Sequence, residues 1–126
     1  MARILIAEDD GLIALDYELA LTGAGHQVCG IVQSGPQAVE AAGSERPDLI
    51  LMDGMLAHGT SGLTTAGEIR SRWNIPSLVV SGHVAGDAAI TAGAVHHLAK
   101  PVLPRDLLRV VEELLARLQA EAQTRQ

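Results

Sequence analysis

Several apolar runs in this chain end in groups that carry charge or a hydroxyl. Leu5-Ile6-Ala7 runs into Glu8-Asp9-Asp10, Leu49-Ile50-Leu51-Met52 into Asp53, Leu78-Val79-Val80 into Ser81, and His97-Leu98-Ala99 into Lys100-Pro101. Crowded carboxylates repel one another, and a hard divalent cation relieves that repulsion. Mg²⁺ suits a loose acidic cluster because it binds through one or two carboxylates, waters and phosphate oxygens. Taken alone, Glu8-Asp9-Asp10 also reads as a solvated helix start favoured by the dipole. Asp53 changes that balance, because an ionised carboxylate can attack an activated phosphoryl group and form an acyl phosphate. Lys100 would spread the charge on the transferring oxygens, and the Ser81 hydroxyl could bond one of them. Pro101 makes Lys100–Pro101 a candidate cis peptide bond.

These groups can converge only if the runs end on one rim, and the chain supplies the elements for that. Strand candidates at Ile4–Ala7, Val28–Val32, Leu49–Met52, Leu78–Ser81 and His97–Ala99 alternate with longer stretches of helical period. Such alternation predicts an α/β fold, a doubly wound five-stranded parallel sheet with helices on both faces. The first, third and fourth runs are continuously apolar, as strands covered on both faces must be, whereas the second and fifth suit edges. The natural order is therefore 2-1-3-4-5, with the carboxyl ends of the strands forming one crevice.

The expected helices differ in definition. Leu107, Leu108, Val111, Leu114, Leu115 and Leu118 recur every three or four residues and fix the last helix. That helix opens at Leu103-Pro104 without a capping hydroxyl, with Asp106 in its first turn facing the dipole favourably. Ser34 and Gln37 resemble a capping box ahead of Ala38, Val39, Ala41 and Ala42. Between Val84 and Ala94 the residues are small and include Gly86 and Gly93, so a helix there should be short. Beyond Leu118 the chain turns polar and is expected to fray.

Bulk properties narrow the function classes. The 126 residues suffice for one domain, and the net charge of −6 argues against direct nucleic-acid binding, since phosphate backbones require a Lys/Arg-rich face. The single cysteine, Cys29, rules out an internal disulfide and reads as a small buried hydrophobe. No signal-peptide pattern opens the sequence and no apolar stretch approaches the roughly 20 residues of a membrane span, so a cytoplasmic location away from membranes is expected.

With those residues in place, the chain resembles the receiver domain of bacterial two-component response regulators, single-domain and chemotaxis-regulator-like. Glu8-Asp9, Asp53, Ser81 and Lys100-Pro101 stand in that family's order and near its spacings over nearly the whole length. The resemblance implies a flavodoxin-like receiver domain over residues 1–120 and a polar tail over 121–126. It implies that Asp53 accepts a phosphoryl group from a sensor histidine kinase or histidine phosphotransfer protein, in a phosphorelay that switches docking of a downstream protein. Mg²⁺ would be bound by Glu8, Asp9, Asp53 and the backbone carbonyl of Met55, while Ser81 and Lys100 grip the phosphoryl oxygens. Asp10 is expected to cap a helix instead. Such a protein is a regulator that assists only its own phosphotransfer and dephosphorylation.

Some positions depart from the family's pattern. The aromatic switch position falls on His97, which is smaller and ionisable near neutral pH, and His96 and His97 could equally face solvent at the sheet edge. The loop Gly54–Gly62 lacks a proline common there and reads as one residue longer, hence more flexible. Met55 and His83 occupy the positions that tune phosphoryl lifetime. A transition-metal site from His83, His96 and His97 has no compelling ligand spacing. Two other functions fit some of these residues: a receiver-like scaffold that never carries phosphate, and an aspartyl-phosphate hydrolase, although Met55 stands where such enzymes place a second acid.

Overall fold

The computed structural model describes residues 1–82 and 96–124. Along the chain run β1 (Arg3–Ala7), α1 (Gly11–Gly23), β2 (Gln27–Val32), α2 (Gly35–Glu45), β3 (Leu49–Asp53), a 3₁₀ turn (Ala57–Gly59), α3 (Gly62–Trp73), β4 (Ser77–Ser81), β5 (His96–Ala99) and α4 (Pro104–Thr124). All strand pairings are parallel, in the order β2-β1-β3-β4-β5. The doubly wound topology therefore follows the expected order, with each strand one residue longer than its apolar run suggests.

Side chains alternate across the pleat, and this period of two splits the central strands between two cores. Ile4, Ile6, Leu49, Leu51, Leu78 and Val80 face α1 and α4, meeting Tyr17, Leu21, Leu107 and Val111. Leu5, Ala7, Ile50, Met52 and Val79 face α2 and α3, meeting Ala38, Ala42, Ala66 and Ile69. Every residue of β3 and β4 is buried, whereas β2 and β5 are only partly so, as edges are. Cys29 lies half-buried on the β2 edge rather than inside the core.

Helix ends follow local chemistry. Asp10 caps α1, accepting the N–H groups of Leu12 and Ile13 at 3.0 and 3.2 Å. Ser34 accepts the Gln37 N–H, but the Gln37 carboxamide reaches back to the Gln33 N–H at 3.0 Å, one residue earlier than a capping box requires. At α4 the Leu103 carbonyl takes the N–H groups of Asp106 and Leu107, so the helix starts without a side-chain cap. The polar C-terminal stretch is not frayed: α4 continues to Thr124, its exposed face carrying Arg117 within 4.0 Å of Glu121 one turn on. The stretch from Val84 to Ala94 lies outside the described residues, as does His83.

The segment after β3 also differs from expectation. Met55 and Ser61 form an antiparallel bridge, the Leu56 N–H bonds the Thr60 carbonyl at 2.9 Å, and the Leu56 side chain is buried. Two further bonds tie the loop to the start of α2: Ala57 N–H to the Gln33 carbonyl at 2.8 Å and Gly35 N–H to Thr60 Oγ1 at 3.0 Å. The loop is thus a closed, pinned turn. Gly62 completes it, its N–H reaching the Gly54 carbonyl at 2.9 Å, and a Cβ there would collide with the Asp53 carbonyl oxygen. Gly62→Ala should accordingly cost about 1–3 kcal/mol in urea unfolding, the usual range for overpacking. An unchanged unfolding midpoint would show that the turn relaxes freely.

Candidate functional site

The parallel sheet delivers the strand ends to one rim, and the acidic and basic groups meet there. Ile4 to Ala7 of β1 pair with Leu49 to Met52 of β3, so Glu8 and Asp53 follow adjacent strands in the same register. On the other side Asp53 pairs with Val80, one residue before Ser81, and Ser81 pairs with Ala99, one residue before Lys100. The Lys100 N–H donates to the Ser81 carbonyl at 3.2 Å, extending that ladder past β5, and Lys100–Pro101 is cis as expected.

Glu8 and Asp53 are almost fully buried, 3% and 9% exposed, while Asp9 is open to solvent. One oxygen from each of the three carboxylates lies within 4.8 Å of the others. Lys100 Nζ bridges the two buried ones, 3.3 Å from Glu8 Oε1 and 3.2 Å from Asp53 Oδ1. Backbone N–H groups add support: Asp10 donates to Glu8 Oε2 at 3.1 Å and Met55 to Asp53 Oδ1 at 3.3 Å.

One ammonium cannot neutralise this cluster. Burial, then the hydrogen bond and charge of Asp53, push the Glu8 carboxyl from 4.5 up to about 7, against the lowering effects of the Asp10 N–H and Lys100. Burial acts to lower the Lys100 pKa, but Glu8 and Asp53 overcome it and hold the ammonium above its ordinary range. A second cation is what the arrangement lacks. Hard, closely spaced oxygen donors around an open, solvent-facing side fit Mg²⁺ and leave room for water and phosphate oxygens.

Ser81 is buried at the end of β4 beside this cluster, and Met55 is 57% exposed at its mouth. His97 pairs with Val79 and is half-buried, with Nε2 shut away from solvent and without a hydrogen-bond partner, whereas His96 is exposed. The two histidines thus do not share one environment at the sheet edge. Tyr17 was not anticipated: it is 6% exposed, shares a tight crevice with Glu8 and Asp53, and has its phenol raised chiefly by burial, with Lys100 opposing. Its signal in sequence is only the spacing Ile13, Ala14, Tyr17, Leu21 along α1.

Comparison with known proteins agrees with this geometry. The sequence model of the response regulator receiver domain matches residues 4–112. Among curated relatives, the phyllosphere-induced regulator PhyR of Methylorubrum extorquens is 34% identical over 118 residues, 90% of this chain and 43% of the relative. The transcriptional regulatory protein PdtaR of Mycobacterium tuberculosis is 35% identical, over 91% of this chain and 57% of its own. The chain spans about half the length of these relatives. Of solved structures, a CheY-like response regulator receiver domain protein from Methanospirillum hungatei superposes with TM-score 0.85 at 26% identity, covering 96% of this chain and 98% of the other. The response regulator PhyR from Brucella abortus gives 0.82 at 27% identity, covering 96% and 50% respectively. A rim of Glu8, Asp9, Asp53, Ser81 and Lys100 on a 2-1-3-4-5 sheet, together with the match over residues 4–112, places this chain in the response regulator receiver domain family.

Proposed function

We propose that Asp53 is the phosphoacceptor of a phosphorelay, taking its phosphoryl group from the phosphohistidine of a sensor kinase or a histidine phosphotransfer protein. The observation that carries this reading is Lys100 bridging two buried carboxylates beside an open acidic cluster. Asp53 Oδ bonds to phosphorus as the P–N bond to the donor imidazole breaks. Lys100 moves its ammonium from carboxylate to phosphoryl oxygens, and the Ser81 hydroxyl closes on another of them. Glu8, Asp9, Asp53 and the Met55 carbonyl are the groups that would hold Mg²⁺, which neutralises charge on the transferring oxygens when bound.

The modification acts as a switch only through unequal contacts with two conformations. Ser81 and His97, two residues apart in register across β4 and β5, are the elements that we assign to it. The result is a regulator that changes its affinity for a downstream protein, acting in the cytoplasm without touching DNA itself. Donor docking is supported by α1, where Leu12, Leu15 and Leu19 are exposed next to the rim, with Leu103 exposed on the loop after Lys100–Pro101.

Acetyl phosphate with Mg²⁺ should label the wild-type protein and leave Asp53→Ala unlabelled, with Lys100→Ala slowed by a factor of about 100 or more. Equal labelling of all three would remove the proposal. Leu15→Asp with Leu19→Asp should slow transfer from a phosphorylated kinase while sparing labelling by acetyl phosphate; loss of both would mean damage to the fold instead. Met55→Asn should change the lifetime of the phosphorylated form, and an unchanged decay would take Met55 out of that role.

Glu8 also gives a stability signature in EDTA. Its raised folded pKa favours the native state below about 4.5, and this advantage is lost as pH rises to about 7. The loss amounts to at most about 3 kcal/mol. Glu8→Gln should therefore be more stable than wild type at pH 8 and nearly equal to it at pH 4.5, measured by urea unfolding. A constant difference between the variants across that range would contradict the burial of an ionising Glu8.

A further inference from the structure

Tyr17 lies on the far side of the phosphoacceptor from solvent. Beneath the rim, its ring joins Ile6, Leu51, Met52 and Val80 in packing under Glu8 and Asp53, around a crevice with no space for a water molecule. On its other side Tyr17 lines a cavity of about 480 Å³ with Asp16, Lys100, Pro101, Val102 and Pro104. Tyr17 is the one residue common to both linings. The outer cavity is easily large enough for water, whereas the crevice is dry. The ring, beside the Lys100 side chain that also lines the cavity and bonds Asp53, therefore stands between a cavity able to hold water and the buried face of Asp53.

That placement matters for an acyl phosphate, which has two electrophilic atoms. Water attacking phosphorus breaks the P–O bond and needs access only from the solvent-facing mouth. Water attacking Asp53 Cγ forms a new C–O bond and breaks the Cγ–O bond to the phosphoryl group. Orthophosphate then leaves with the bridging oxygen, carrying one water proton while the other goes to solvent, and the carboxylate is regenerated with a solvent oxygen. From the position of Tyr17 we infer that it is a positioning residue that keeps water from the acyl carbon, so that loss of the phosphoryl group is confined to attack at phosphorus. This rests on the reading of Asp53 as phosphoacceptor and adds a residue that controls how long the signal lasts.

The test is phosphorylation with acetyl phosphate and Mg²⁺, followed by decay in H₂¹⁸O, with mass spectrometry of the released phosphate and of the peptide that contains Asp53. Wild type should place solvent oxygen in phosphate and none in Asp53. In Tyr17→Leu the decay should quicken by about tenfold and Asp53 should acquire ¹⁸O, while Tyr17→Phe, which keeps the ring, should behave as wild type. Tyr17→Met has a similar volume to leucine on an unbranched, more adaptable side chain and must show the same carboxylate labelling, which keeps the test decisive should the leucine variant fold poorly. Leu21→Ala removes a buried side chain one turn further along α1 and controls for general loosening; ¹⁸O in its Asp53 would overturn the inference. Unlabelled Asp53 and wild-type decay in both ring-deleted variants would overturn it equally. If wild type takes up no phosphoryl group at all, the phosphoacceptor reading itself fails, an outcome separate from either.

Discussion

Two carboxylates held almost out of water at the ends of neighbouring strands need positive charge close by, and among the described residues one ammonium, that of Lys100, reaches them. Burial of Glu8, then its hydrogen bond to and charge repulsion by Asp53, push its carboxyl up to about 7, and the Asp10 N–H and Lys100 offset only part of that. On our proposal the site is arranged for an incoming cation and phosphoryl oxygens rather than for its own ground state. An apolar replacement of these groups would pack more cheaply. Chemistry at Asp53 is the reason that we give for keeping them.

The fold turns this constraint into a position. A parallel sheet sends every carboxyl end to one side, so residues 8, 53, 81 and 100, far apart in sequence, are fixed by strand register. The strands themselves are held by two apolar layers, one under α1 and α4 and the other under α2 and α3. Asp53 is further restrained from behind by Tyr17 and from its own chain by Gly62, whose missing side chain lets the first turn of α3 approach the Asp53 backbone. The loop that carries Met55 is bonded to the start of α2 through Gln33 and Gly35.

Much of this was readable in the chain. The continuous apolar runs at Leu5, Leu49 and Leu78 announced buried parallel strands, and the charges immediately after them named the rim, because both signals are local. What escaped depends on tertiary contacts. Leucines lie all around α1, at positions 12, 15, 19 and 21, so no pattern reveals that Tyr17 and Leu21 face inward while Leu12 and Leu19 face out. The loop after Asp53 looked loose because its ties are to Gln33 and Gly35, which composition cannot pair. The C-terminal segment looked frayed because it has no apolar face, yet its residues, exposed on every side, carry α4 on to Thr124.

The central claim is that Asp53 itself forms the acyl phosphate. Borohydride reduces such a bond and converts the acylated aspartate to homoserine, leaving free carboxylates untouched. After treatment with acetyl phosphate and Mg²⁺, peptide mapping should find homoserine at position 53 and at no other acidic residue, and EDTA should suppress it. Homoserine at Asp9 or Asp10 alone, or none anywhere while a control receiver is modified, would contradict the account.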